Sequence, residues 1–272
     1  MRQRRIWNFL FCFFLLLIAV TFLPKLVLAD SPLYSDILTL RVILLIGSPT
    51  KLLFLAVATA MGWRCYMAFE RGNPVRPAWL LMALGTGCFF LGQSVLAWYQ
   101  IIRYPAPTPY PSLGDPLFLA GSGCFILALG NFIRAYGRAG LPIGSRLSVA
   151  TVIAVLGLIL SGLAVGVLLP IWSGAEWTTG TLLDTAYVFL DFVLLIPGLL
   201  LVRTVFMLRG GLLWRVWVSL VVGFVCLAAG DIFAAYFSLT GNELLDPILD
   251  LLFAYGYIFI ALGTRQQALL LE

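Results

Sequence analysis

Residues 71–99 read RGNPVRPAWLLMALGTGCFFLGQSVLAWY. A shift of 138 lays them on 209–237, RGGLLWRVWVSLVVGFVCLAAGDIFAAYF. Arg71 then meets Arg209, Gly72 Gly210, Trp79 Trp217, Gly85 Gly223, Cys88 Cys226, Gly92 Gly230 and Ala97 Ala235. A second stretch, 113–127, recurs at a shift of 135, where Asp115 meets Asp250, Leu117 Leu252, Phe118 Phe253, Gly121 Gly256 and Leu127 Leu262. The three-residue difference falls in the loop between the stretches. Duplicated apolar segments with shared polar landmarks predict a pseudo-two-fold membrane bundle, and in such bundles sites lie where the halves meet.

Composition leads to the same class. The chain is 62% hydrophobic and 11% charged, with a mean hydropathy of +1.03. A soluble domain of 272 residues has no means of burying so much apolar surface, whereas a polytopic membrane protein gives it to lipid. The net charge of +5 forms no basic stripe, so membrane lipid is the expected surroundings and nucleic acid is not an expected partner. The chain has no His, which removes the commonest metal ligand, the usual general base and His-ligated haem. Lys25 and Lys51 stand outside the main apolar runs, so a retinal Schiff base has no lysine to form on. The cysteines, Cys12, Cys65, Cys88, Cys124 and Cys226, lie in apolar stretches with no CxxC spacing and read as small buried hydrophobes. No Gly-rich phosphate loop, metalloprotease motif or Ser–His arrangement is present, and no Ca²⁺-loop spacing. The expectation is a non-enzymatic protein with no cofactor, no catalytic residues and no metal site.

Residues 1–29 resemble a secretory signal: Arg2, Arg4 and Arg5, an apolar run over 6–23, and Val27-Leu28-Ala29 as a cleavage site. The long apolar run also suits an uncleaved anchor helix. Residues 30–50 read as an outer interfacial segment, since 37–47 is too short to span and carries Arg41. Seven spans are expected over 51–265: 52–69, 78–99, 114–133, 148–170, 179–202, 212–237 and 247–264. Residues 266–272 form a short tail. One set of connections holds Arg71, Arg76, Arg134, Arg138, Arg146, Arg203, Arg209, Arg215 and Arg265, and the other only Arg103. The positive-inside rule makes the first set cytoplasmic, the C-terminus inside and the start of the first span outside. Trp98, Tyr99, Tyr104, Tyr110, Trp172 and Trp177 then mark the outer interface. The architecture is an all-α, seven-helix integral membrane bundle. It has parallel repeats at about 52–138 and 179–265 and a linker helix at 148–170.

Intramembrane carboxylates cost about 2.5–3.5 kcal/mol each on insertion scales, so each demands a reason. Asp115 and Asp250 open spans, beside Pro116 and Pro247, where a carboxylate suits free N–H groups and the helix dipole. Asp184 stands near a span start and Asp191 seven residues on, on the same helical face. Asp191 and Asp231 are too deep to cap, leaving hydrogen bonds across the bundle or an outward-facing polar pocket as their roles. Gln93 is the repeat counterpart of Asp231. Trp98 and Tyr236 are candidate aromatic contacts for a ligand, or interface residues.

The stretch Tyr110-Pro111-Ser112-Leu113-Gly114-Asp115-Pro116-Leu117-Phe118 resembles the Pro-Ser-x-x-Asp segment of bacterial seven-helix sensor regions. These precede diguanylate cyclases, cyclic-di-GMP phosphodiesterases and some histidine kinases. Leu183-Asp184-Thr185-Ala186-Tyr187 through Asp191 is similar to that class too, as are Ala229-Gly230-Asp231-Ile232-Phe233 and Asp250-Leu251-Leu252-Phe253. The resemblance covers about 50–265 and implies a sensory module of the bacterial cytoplasmic membrane. It implies Asp115, Asp184, Asp191, Asp231 and Asp250 as the positions that matter. No output domain follows the last span before Glu272, so the expectation is signalling to a cyclase, phosphodiesterase or kinase in trans. Two alternatives stand: a small-solute transporter of SWEET-like architecture, and a structural or assembly subunit of a larger membrane complex.

Overall fold

The computed structural model describes residues 10–20, 37–103, 106, 108–140, 146–163, 165–166, 169–174, 178–206, 212–240 and 246–272. Among them every regular element is a helix and no strand forms. In chain order these are α1 (Leu10–Val20), α2 (Ile37–Ala68), α3 (Arg76–Ala97), α4 (Asp115–Arg138), α5 (Arg146–Leu163), α6 (Leu169–Gly174), α7 (Thr179–Phe206), α8 (Leu212–Thr240) and α9 (Asp246–Leu270). A π-helical turn, Trp98–Ile102, extends α3.

Six segments are long and apolar enough to cross a membrane: Leu44–Ala68, Arg76–Ile102, Asp115–Arg138, Thr179–Thr204, Leu213–Tyr236 and Ile248–Leu270. The molecule is a multi-pass helical membrane protein. The span expected at 148–170 is represented by α5, which ends at Leu163, with the short α6 beyond it.

Local sequence sets the helix starts. Ahead of α3, Gly72 takes φ +100° and Asn73 Oδ1 accepts the Val75 N–H at 3.0 Å. Pro77 then occupies the first turn, where a missing N–H costs nothing. Ahead of α4, the Ser112 hydroxyl accepts the Gly114 N–H at 3.1 Å, and Asp115 Oδ2 reaches back to the Ser112 N–H at 2.5 Å. Ahead of α7, Thr178 Oγ1 accepts the Thr181 N–H at 3.3 Å.

Two boundaries differ from the sequence expectation. α2 begins at Ile37, so residues 37–50 are its opening turns and not a separate segment. Pro49 sits inside it and offers no N–H to the preceding turn. The Thr50 hydroxyl beside it donates to the Ile46 carbonyl at 2.7 Å. At the other end, the expected tail continues α9 as far as Leu270, with Gln267 and Ala268 buried. The basic start, the cleavage site at 27–29 and residues 30–36 lie outside the described residues.

Six helices form a closed ring. α2 packs on α3, α3 on α4, α4 on α7, α7 on α8, α8 on α9, and α9 on α2 again. α5 packs on α7, with Leu147, Val155 and Leu158 exposed. α1 lies against α2 and α9: Phe11 and Phe14 each stack on Phe54 at 5.2 Å, and the Tyr255 hydroxyl donates to the Leu15 carbonyl.

Aromatic rings fill the centre. Phe125 of α4 meets Phe224 of α8 at 5.3 Å, and Phe89 of α3 meets Tyr257 of α9 at 6.1 Å. Phe132 sits between Trp79 and Trp217 at 5.2 and 4.9 Å. Both tryptophans are buried, and Trp217 donates its indole N–H to the Tyr136 hydroxyl. Lipid is as apolar as these rings, so their contribution is close van der Waals contact, not removal from water.

Glycines bring helix pairs into contact. A Cβ added to Gly121 would lie 2.4 Å from the Phe89 ring, and one on Gly256 2.6 Å from Leu227. Likewise Gly85 faces Phe125 at 2.6 Å and Gly223 faces Ile260 at 2.7 Å. Gly92 faces Phe118 at 3.0 Å and Gly230 faces Phe253 at 2.9 Å.

Most arginines and most aspartates gather at opposite ends of the ring. Where α2 ends and α3 starts, Arg76 lies over the Tyr66 ring and Arg64 pairs with Glu272 at 2.7 Å. Arg138, Arg203 and Arg265, near the ends of α4, α7 and α9, share this arginine end. Lys51, Asp115, Asp184 and Asp250 occupy the other, acidic end.

Candidate functional site

Four of the aspartates converge where α4, α7 and α8 meet. Asp115, at the head of α4, is buried, and its Oδ1 accepts the Tyr187 hydroxyl of α7 at 2.8 Å. One turn toward the start of α7, Asp184 Oδ1 accepts the Tyr110 hydroxyl at 2.5 Å. Roughly midway along α7, Asp191 is 4% exposed, and its carboxyl is in side-chain hydrogen-bond contact with that of Asp231 on α8. Asp191 Oδ2 finds no donor among the described residues. Asp231 is close enough to Tyr110, Tyr187 and, on α9, Tyr257 to act on their hydroxyls electrostatically. The charges acting on Asp231 include those of Asp184 and Asp115. The result is a descending series of carboxyls, from the mouth at Tyr110–Asp184 to Asp191, which is buried, and its neighbour Asp231, which is partly buried.

Tyr110 lies outside the spans, and its ring is 54% exposed. Its hydroxyl end is nonetheless desolvated and held against Asp184. Desolvation first, then the Asp184 hydrogen bond and the nearby carboxylate charges, raise its pKa above the ordinary phenol value. It stays a donor wherever the protein is folded at ordinary pH.

The remaining expected site residues fall elsewhere. Asp250 forms an ion pair with Lys51, joining α9 to α2. Lys51 is buried, and one turn before it the Ser48 hydroxyl donates to Gln100 Oε1 at 2.8 Å. Trp98 is exposed, packs edge-on against Tyr99 and carries Arg103 over its ring at 5.6 Å. Its contacts are thus with its own segment, not with the acids. Tyr236 is exposed. Gln93 is buried on α3 and its Nε2 has no hydrogen-bond partner among the described residues.

Sequence reasoning missed three residues. Tyr110 reads as an interfacial aromatic, Tyr187 enters only as part of the stretch that follows Asp184, and Lys51 stands one residue before a predicted span. A lysine beside an apolar span is itself a signal, because it needs a carboxylate within reach.

No family model, curated protein or solved structure matches this chain. Among the described residues no group of three or more potential ligand side chains is arranged to hold a metal ion.

Proposed function

We propose that this is a non-enzymatic membrane sensor. It receives a ligand or ion at its acidic end, facing outward, and passes a change in the packing of α7, α8 and α9 to a signalling partner. One observation carries the reading: Asp115, Asp184, Asp191 and Asp231, scattered over the sequence, meet at one seam with Tyr110 and Tyr187. Four carboxyls in one seam are too costly in a membrane to serve as packing alone. The orientation follows from the arginine end, which the positive-inside rule turns to the cytoplasm. The bilayer is proposed to be a bacterial cytoplasmic membrane, with α5 as a seventh, linker helix outside the ring.

The parallel repeat is part of the proposal. Its support is the matched glycine contacts, Gly121 on Phe89 beside Gly256 on Leu227, and Gly85 on Phe125 beside Gly223 on Ile260. The order of packing supports it as well, since α2–α3–α4 and α7–α8–α9 follow one another around the ring.

The transporter alternative needs a polar path between the two ends. Phe89, Phe125, Phe132, Phe224 and Tyr257 fill the centre where that path would run. The assembly-subunit alternative makes the aspartates simple glue and predicts that apolar-face changes, not aspartate changes, abolish function.

Co-purification of the tagged protein from native membranes in mild detergent, read by mass spectrometry, tests the reading. A cyclase, phosphodiesterase or kinase in near-stoichiometric yield is expected. Subunits of one stable complex would instead establish the assembly role. Solute uptake into proteoliposomes by the protein alone would establish a transporter.

A further inference from the structure

We propose that Asp191 and Asp231 together form one proton-binding site that ties α7 to α8. Its use as a sensor of pH on the acidic side rests on the proposed function; the site itself rests on geometry.

The two carboxyls are in side-chain hydrogen-bond contact. Ionised carboxylates only accept hydrogen bonds, so two carboxyls this close bond to each other only when one of them carries a proton. Asp191 is 4% exposed and its Oδ2 has no donor from any described residue. A buried acceptor left unmatched is costly, and a proton held between the carboxyls removes that cost. Two carboxyls also fall short of the six or more oxygens a Ca²⁺ ion takes, which favours the proton over a hard metal ion.

The ionisable groups that act on the pair from the described residues are acids and phenols. From α4 and the segment before it come Asp115 and Tyr110, from α7 itself Asp184 and Tyr187, and from α9 Tyr257. Asp250, on α9 beyond Tyr257, is held by Lys51. α5, which also packs on α7, has no ionisable residue over 147–163. On deprotonation the shared O–H bond breaks, the proton leaves to water at the acidic end, and two carboxylates face each other across the seam. Like charges at that distance push α7 and α8 apart, which is the movement the sensor reading needs.

The test is infrared difference spectroscopy of the full chain in lipid nanodiscs, titrated from acid to alkaline pH. At neutral pH we expect one carbonyl band of a protonated carboxyl that disappears on alkalinisation. Asp191→Asn and Asp231→Asn each abolish it, because the asparagine amide donates to the surviving carboxylate. Thermal unfolding of both variants establishes that they are folded. No band in the wild type, a band unchanged in both variants, or a band lost in only one of them would overturn the shared-proton site. The band reports protonation without reference to signalling, so such a failure leaves the sensor reading intact. A band that behaves as expected, with a partner's activity indifferent to outer pH, keeps the proton site and removes its sensory role.

Discussion

Two seams of the ring close on an aspartate at the head of a helix, and they do so differently. Between α2 and α9, Asp250 meets the Lys51 ammonium. Between α4 and α7, Asp115 meets the Tyr187 hydroxyl at 2.8 Å and the Ser112 N–H at 2.5 Å. A lysine brings a donor and a full charge; a tyrosine brings a donor only. The first seam is therefore neutral within itself. The second gathers Asp115, Asp184, Asp191 and Asp231, with the Tyr110 and Tyr187 hydroxyls as donors to two of them. That difference makes the first seam a charged clasp and the second a cluster of acids.

The largest expected effect comes from breaking the clasp. Lys51→Ala leaves Asp250 facing a buried gap, and orphaning one member of a buried pair costs about 3–5 kcal/mol. Asp250 keeps 30% of its side chain exposed, which places the loss toward the lower figure. Lys51→Met combined with Asp250→Leu is expected to recover most of it, since no charge is left behind. Tyr187→Phe removes a hydrogen bond to a carboxylate, a loss of about 1.5–3 kcal/mol at most, and Ser112 still serves Asp115. Thermal unfolding in one detergent ranks the variants. A Tyr187→Phe protein as unstable as Lys51→Ala would abolish the distinction between the seams.

The next effect tests whether the two halves respond as equivalents. Alanine at Gly121 would press on Phe89, and alanine at Gly256 on Leu227, at 2.4 and 2.6 Å. Overpacking of this kind costs about 1–3 kcal/mol. If α3–α4 and α8–α9 are copies of one unit, the two variants lower the unfolding temperature by similar amounts. A loss at Gly121 with none at Gly256 counts against the repeat.

The same contrast explains what was legible in the sequence. Apolar runs and arginine placement announced a multi-pass helical bundle, because both are one-dimensional signals. The start of α2 was hidden, since Arg41 and Pro49 interrupt the apolar run, while the Thr50 hydroxyl serving Ile46 is a detail of the folded helix. Asp115, Asp184, Asp191 and Asp231 stood out as costly residues, but their convergence depends on how α4, α7 and α8 are rotated. Helices that are apolar on nearly every side carry little information about rotation. Trp98 is the converse case: an aromatic near the right depth whose ring meets Tyr99 and Arg103 of its own segment. Lys51 was passed over because it lies just outside an apolar window, although its pairing with Asp250 spans 199 positions of sequence.

The smallest expected effect is at the mouth of the acidic seam. Tyr110→Phe removes the hydrogen bond to Asp184 but leaves the half-exposed ring in place. Water can replace the lost donor there, so unfolding is expected to shift little. The informative reading is the phenol titration. Desolvation, Asp184 and the neighbouring carboxylates raise the folded-state pKa of Tyr110 above the value of about 10 that a free phenol shows. Its contribution to stability is thus fully present below that value and is lost as pH rises through the higher folded one. Phenolate absorbance should show a late-titrating tyrosine that Tyr110→Phe deletes. Asp184→Asn should advance that titration, because it removes the charge that opposes ionisation. A Tyr110 that ionises with the exposed tyrosines, unaffected by Asp184→Asn, would mean that the mouth is open and the acids below it are reached without displacing a closed contact.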